Sequence, residues 1–252
     1  MIELRDVCYS YGNGRGVEAL SCAFAPGTLC GIVGPNGSGK STAIRLLGGL
    51  LRAERGDVFL DGRSIRSLSR RECAKLVSLF PQSRPVPRMT VEELVTCGRF
   101  PYGGFSARLT AADRLAVEEA LQTTGLQDKR HRAVWELSGG ERQLAYLSML
   151  FAQDTPYLLL DEPTAFLDAA GRFDLMERLL CMRDKGKCVI AVLHDLPLAL
   201  RYCDRLFVMN EGRLCWSGTS DAFAASGLSE QIFGVQCHPV LLPSGKQFVL
   251  TV

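Results

Sequence analysis

Gly34-Pro35-Asn36-Gly37-Ser38-Gly39-Lys40-Ser41 follows the pattern G-x-x-x-x-G-K-[ST]. Its glycines let successive backbone N–H groups turn inward around phosphate oxygens. Lys40 is placed to reach the β- and γ-phosphates of a nucleotide, and Ser41 offers a hydroxyl to Mg²⁺. The loop runs on into Thr42 at the start of an expected helix, whose N-terminal partial charge adds to the anion site. A second motif sits far downstream, where Leu158-Leu159-Leu160 ends in Asp161-Glu162. An apolar strand ending in two carboxylates supplies one to hold Mg²⁺ (Asp161) and one to polarise an attacking water (Glu162). Together the motifs point to hydrolysis of a nucleoside triphosphate.

Both motifs need strands to carry them. Leu29–Val33 is a compact apolar run leading into Gly34, and 157–160 and 188–193 are further continuous apolar runs. Such runs suit central parallel strands covered on both faces. Ile2, Leu4, Val7, Tyr9 and Tyr11 come in short apolar bursts and predict an antiparallel element, and Asp61-Gly62 predicts a hairpin turn within Val58–Ile65. Helices are expected over 42–51, 91–97, 111–124, 143–152 and 173–185, and a last strand over 204–209. The expected fold is α/β, a P-loop NTPase core (about 1–85 and 155–225) with an antiparallel β subdomain. An inserted α-helical subdomain occupies about 86–154, and a short extension of strand character about 226–252.

Composition narrows the class. The chain has 252 residues, 47% of them hydrophobic and 22% charged, which suits a folded globular protein. A net charge of +2 gives no electrostatic footprint for nucleic acid, and clusters such as Lys129-Arg130-His131-Arg132 read as solvated faces. Ten cysteines occur without a C-x-x-C pair, so reduced thiols in a cytosolic protein are the simplest reading. No signal peptide is visible, and no apolar run approaches the roughly 20 residues that span a bilayer.

Leu137-Ser138-Gly139-Gly140-Glu141 is a third motif. A helix cap alone would explain it in isolation. In the order phosphate loop, L-S-G-G-E, acidic strand, the chain resembles the ATP-binding cassette (ABC) family, whose signature reads L-S-G-G-[QE]. The resemblance covers about residues 1–225. It implies a head-to-tail dimer in which Ser138, Gly139, Gly140 and Glu141 complete, in trans, the ATP site formed by residues 34–42 of the other copy. It further implies Tyr11 as the adenine-stacking aromatic and Gln82 as a sensor of Mg²⁺ and the attacking water. It gives His194 as the switch residue at the γ-phosphate, and Asp168 as the aspartate of the loop joining the subunits. Glu162, His194, Lys40 and Gln82 form the implied catalytic set, with Ser41, Gln82 and Asp161 around Mg²⁺. The family's Ser-Ala-Leu-Asp is here Ala165-Phe166-Leu167-Asp168, which puts communication between subunits in question.

The segment between Gln82 and Leu137 holds no heptad run, unlike cassette ATPases that act on DNA. Residues 89–102, Met-Thr-Val-Glu-Glu-Leu-Val-Thr-Cys-Gly-Arg-Phe-Pro-Tyr, look like the permease-docking segment of iron-siderophore, haem and cobalamin importer ATPases. That resemblance implies a homodimeric motor on the cytoplasmic face of the cell membrane. Its partners would be integral-membrane permease subunits and an extracytoplasmic substrate-binding protein, with no nucleic acid. The alternatives are a metal-ion or export transporter, or a cassette ATPase acting on nucleic acid.

Overall fold

The computed structural model describes residues 1–12, 14, 16–82, 85–103, 108–242 and 245–251. In chain order the first elements are β1 (Ile2–Ser10), β2 (Gly16–Phe24), β3 (Leu29–Val33), α1 (Lys40–Leu47), β4 (Arg55–Leu60), β5 (Arg63–Ser64), α2 (Arg70–Leu76) and β6 (Val77–Phe80). Helices α3 (Val91–Cys97), α4 (Phe100–Gly103), α5 (Ala111–Thr124) and α6 (Gly139–Ala152) follow. Then come β7 (Tyr157–Asp161), α7 (Ala169–Asp184), β8 (Cys188–Val192), α8 (Leu196–Tyr202), β9 (Arg205–Asn210) and β10 (Arg213–Gly218). The chain closes with α9 (Ser220–Ala225), α10 (Leu228–Phe233), β11 (Gln236–Leu242) and β12 (Gly245–Thr251).

The central sheet has the order β10-β9-β3-β8-β7-β6, parallel except for β10. Side chains alternate between its two faces, and both faces are buried. Leu29, Val33, Leu158, Leu160, Val189 and Ala191 pack with the helices α3, α5, α6, α7 and α8. Cys30, Ile32, Tyr157, Leu159, Cys188, Ile190 and Val192 pack on α1 and the antiparallel sheet β2-β1-β4-β5. Burial on both sides is why these strands read as unbroken apolar runs. Asp61 (φ 49°) and Gly62 (φ 79°) form the β4–β5 turn, both left-handed as a two-residue hairpin requires.

Several boundaries differ from the sequence expectation. The helix expected over 42–51 runs from Lys40 to Leu47. Gly39 delivers the chain into it at φ 97°, and Gly48-Gly49 stops it, Gly49 at φ 68°. The helix expected to begin at Gln143 begins at Gly139, because Ser138 caps it. α7 likewise starts four residues before the expected Phe173, capped by Asp168, whose carboxylate accepts from the Gly171 N–H at 2.8 Å. The expected strand extension is a β11–β12 hairpin preceded by the unexpected helix α10, bracketed by left-handed Gly227 and Gly234. Pro243, which falls in that extension, lies outside the described residues.

All ten cysteines are free thiols, and three of them, Cys30, Cys188 and Cys203, fill the core beside the central sheet. Burial pushes Cys30 up to about 11 and Cys188 up to about 12, so they serve as small hydrophobes. Among the described residues no helix is long and apolar enough to cross a membrane.

Candidate functional site

The carboxyl end of β3 hands the chain to the glycine loop, and at two of its positions a side chain would meet its neighbours at once. A Cβ on Gly34 would lie 2.1 Å from the Met209 carbonyl oxygen of β9, and one on Gly39 would lie 2.9 Å from Val17. The loop is closed by a turn in which the Ser38 N–H donates to the Pro35 carbonyl at 3.2 Å. Among the described residues, Oγ of Ser38 is buried with no hydrogen-bond partner. A buried hydroxyl without a partner fits a loop shaped to hold an anion.

Lys40 folds into this cradle. Its Nζ donates to the carbonyl oxygens of Gly34 and Pro35, both at 2.8 Å. Burial pulls the ammonium below its ordinary value, opposed by the nearby Glu162 and Asp161 carboxylates. At the second residue of α1, Ser41 Oγ donates to Asp161 Oδ1 at 2.9 Å, joining the two nucleotide motifs across the β3–β7 gap. Burial raises Asp161, the Ser41 hydroxyl opposing and the adjacent Glu162 charge adding to the rise.

Glu162 follows β7 directly in a left-handed conformation, φ 53°. That strained geometry turns its carboxylate toward the end of β8, where His194 Nε2 lies 2.6 Å from Glu162 Oε1. Tyr11 stands at the other end of the pocket, its hydroxyl 3.5 Å from Thr42 Oγ1 and its ring edge-on to Tyr9 at 4.9 Å. Tyr11, Asn36, Gly37, Ser38, Gly39, Lys40, Ser41, Thr42, Glu162 and His194 thus line one open pocket of about 370 Å³, together with Gly16 and Arg45. Sequence reasoning missed Arg45. Its signal was the spacing: it lies four residues after Ser41 and so on the same face of α1.

The remaining candidates stand elsewhere. Gln82 lines a neighbouring groove with Val86, Gly139, Arg142, Gln143, Tyr146 and Phe166 rather than the phosphate pocket. Ser138 caps α6 through a reciprocal pair, its Oγ accepting from Glu141 N–H at 3.2 Å and Glu141 Oε2 accepting from Ser138 N–H at 2.8 Å. Glu141 also pairs with Lys129, which together with the Ser138 bonds holds its carboxyl down at about 2. The Glu141 carboxylate is therefore occupied by its own helix cap and by Lys129. The first-turn amides of Gly139 and Gly140 remain for an anion. The amide of Gln143 donates to the Pro163 carbonyl, tying this helix to the turn after Glu162.

Ser41 and Asp161 offer a hydroxyl and a carboxylate, the hard oxygen donors that Mg²⁺ takes alongside substrate phosphates. Among the described residues there is no cluster of three or more His, Cys, Asp or Glu able to hold a metal without such a substrate. The arrangement can bind a triphosphate at one end, a base near Tyr11, and hold a carboxylate where water would attack.

The family model described as ABC transporter matches residues 17–165. The petrobactin import ATP-binding protein FpuC of Bacillus anthracis is 37% identical over 94% of this chain and 88% of its own length. The ferric enterobactin transport ATP-binding protein FepC of Escherichia coli (strain K12) is also 37% identical, over 94% of this chain and 91% of its own. Among solved structures, an inward-facing transporter described as metal-chelate type superposes with a TM-score of 0.84 at 20% identity, covering 99% of this chain and 96% of that one. The dimeric structure of the bacterial ABC transporter cassette MJ0796 superposes with a TM-score of 0.77 at 26% identity, over 87% of this chain and 99% of that one.

Proposed function

The chain belongs to the ABC transporter family and is one of its ATPases, and from that premise we propose that it is the motor subunit of an importer for iron-siderophore-type metal chelates. The observation that carries the cargo class is the 37% identity, over 94% of the chain, to proteins named for petrobactin import and ferric enterobactin transport. The segment from Met89 to Tyr102 is the proposed contact with integral-membrane permease subunits, at the cytoplasmic face of the membrane. A substrate-binding protein outside the membrane would deliver the chelate.

In this reading two copies sandwich two ATP molecules. Residues 34–42 of one copy hold the phosphates, and Ser138, Gly139, Gly140 and Glu141 of the other cover them. Support comes from the single chain itself: the signature residues do not line the phosphate pocket of their own copy. Exposed first-turn amides at Gly139 and Gly140 are a ready anion site for a second molecule. Asp168, capping α7 beside this surface, would set the path between the two sites.

Lys40 exchanges its carbonyl partners for the β- and γ-phosphate oxygens, and with the loop amides stabilises charge building on the transferred phosphoryl group. Mg²⁺ would be held by Ser41 and Asp161, with Gln82 joining from its groove, and would neutralise phosphate charge. Glu162 polarises the attacking water, and His194 holds the Glu162 carboxylate in line while sensing the γ-phosphate. Loss of that phosphate releases the two copies and resets the permease.

The test is purification of the full chain in mild detergent with its membrane partner. A polytopic permease, with hydrolysis stimulated by a substrate-binding protein loaded with a ferric chelate, supports the reading. A soluble ATPase recovered without a membrane protein, or with bound nucleic acid, refutes it.

A further inference from the structure

Trp135 is 52% exposed, three residues before Ser138, on a segment that has no freedom to hide it. Val134 and Leu137 are buried at 0% and 3% exposure and pin the short helical turn Val134–Glu136 to the core. The Val134 N–H donates to the Met89 carbonyl at 2.9 Å, and the Glu136 N–H donates to the Ala133 carbonyl at 3.0 Å. With 134 and 137 turned inward, Trp135 and Glu136 are exposed, as are Ser138 and Gly139 just after them in the chain. A large indole held rigidly in water is an unsatisfied apolar surface, and tryptophan leads the residues that anchor interfaces.

The opposite wall of the nucleotide pocket is also incomplete. Tyr11 is 43% exposed and offers one aromatic face, its edge partner Tyr9 lying behind it. In the dimer proposed above, Ser138 of one copy meets the phosphates held at residues 34–42 of the other, whose base lies toward Tyr11. Three residues of chain reach about 10 Å at most, so Trp135 lies within that distance of Ser138 and hence of the nucleotide that Ser138 would cover.

We propose that Trp135 closes over the nucleoside end of the ATP held by a second copy of this chain, opposite that copy's Tyr11. The inference rests on the in-trans reading of the signature motif. An indole face stacks on a base without hydrogen bonding to it, so the contact favours nucleotides over inorganic phosphates and tolerates a change of base. It also links ATP occupancy to dimer closure, because the indole leaves water only when both copies and the nucleotide are present.

The chain holds two tryptophans, so Trp216→Phe in the full chain leaves Trp135 as the sole reporter. In a Glu162→Gln background with Mg·ATP, acrylamide quenching of Trp135 should fall several-fold as the dimer forms, followed by sedimentation. Trp135→Ala should raise the ATP concentration needed for dimerisation about tenfold, the scale of one lost stacking contact. ATP binding to dilute single copies should stay unchanged, and Trp135→Phe should recover most of the loss. A dimer in which Trp135 stays fully quenchable overturns this inference and leaves the proposed function standing. Equal weakening of ATP binding to single copies and to dimers overturns it too, by assigning Trp135 a structural role. Absence of any ATP-driven dimer overturns the in-trans reading and this inference with it.

Discussion

His194 Nε2 lies 2.6 Å from Glu162 Oε1, although 32 residues separate them in the chain. β7 and β8 are parallel neighbours, with Asp161 registered opposite Val192, so the residues just past their carboxyl ends meet above the sheet edge. The ring therefore fixes one carboxylate oxygen of Glu162, and no described residue hydrogen-bonds the other. Two consequences can be measured.

Glu162→Gln removes the proton acceptor while keeping the shape. Turnover should fall ~10²–10⁴-fold, while ATP affinity by equilibrium titration stays within a factor of about two. Turnover unchanged in that variant would remove Glu162 from its role.

His194→Ala leaves Glu162 chemically intact but free to rotate. Misplacing a catalytic group by about 1 Å costs on the order of 10²-fold, so steady-state hydrolysis should drop on that scale with ATP binding retained. A loss confined to ATP affinity would instead make His194 a simple phosphate ligand.

Lys40→Ala should act on binding. The ammonium sits 2.8 Å from two loop carbonyls, within the pocket proposed to receive the phosphates. Hydrogen bonds to a charged group contribute ~1.5–3 kcal/mol, so ATP affinity should weaken roughly 10- to 100-fold by calorimetry. Thermal unfolding of the nucleotide-free protein tests whether the loop itself survives the change.

Gly34→Ala should be far harsher than its size suggests. The new methyl carbon would lie 2.1 Å from the backbone oxygen of Met209, and backbone cannot swing aside as a side chain can. We expect destabilisation beyond ~1–3 kcal/mol, the usual cost of overpacking, together with loss of ATP binding. Chemical denaturation checks the first and calorimetry the second.

Arg99 and Asp113 form a buried pair at 2.9 Å between the start of α4 and the first turn of α5. The Thr110 hydroxyl and N–H, then Arg99, hold the Asp113 carboxyl down at about 2. A carboxyl depressed on folding stabilises the protein above its unfolded value near 3.9, and that contribution disappears as pH falls from about 4 toward 2. Between those values the urea midpoint of the native chain should drop more steeply than that of Asp113→Asn. At pH 7, Arg99→Ala should cost ~3–5 kcal/mol, because it leaves a buried carboxylate unpaired.

Sequence alone determined the parts of this site whose chemistry is local. A glycine loop between an apolar strand and a helix has a local signature, so the placing of residues 34–42 between β3 and α1 was readable. The runs over 29–33 and 157–160 were readable as strands because both faces of each are buried and no polar position interrupts them. The family's order of motifs then supplied Tyr11 and His194, which the fold brings into the phosphate pocket.

Tertiary structure decided everything that depends on which chain ends lie side by side. Arg45 entered the pocket through the rotation of α1, which began two residues earlier than periodicity suggested. Glu141 was drawn into a cap with Ser138 and a pair with Lys129, competition for its carboxylate that a motif cannot display. Gln82 went to a separate groove because β6 lies at the sheet's edge, on the far side of β7 from β8. The exposure of Trp135 likewise follows from Val134 and Leu137 being pulled inward by a core assembled from distant helices. Local chemistry is written in adjacent residues, whereas proximity and exposure are properties of packing, and only the folded chain sets them.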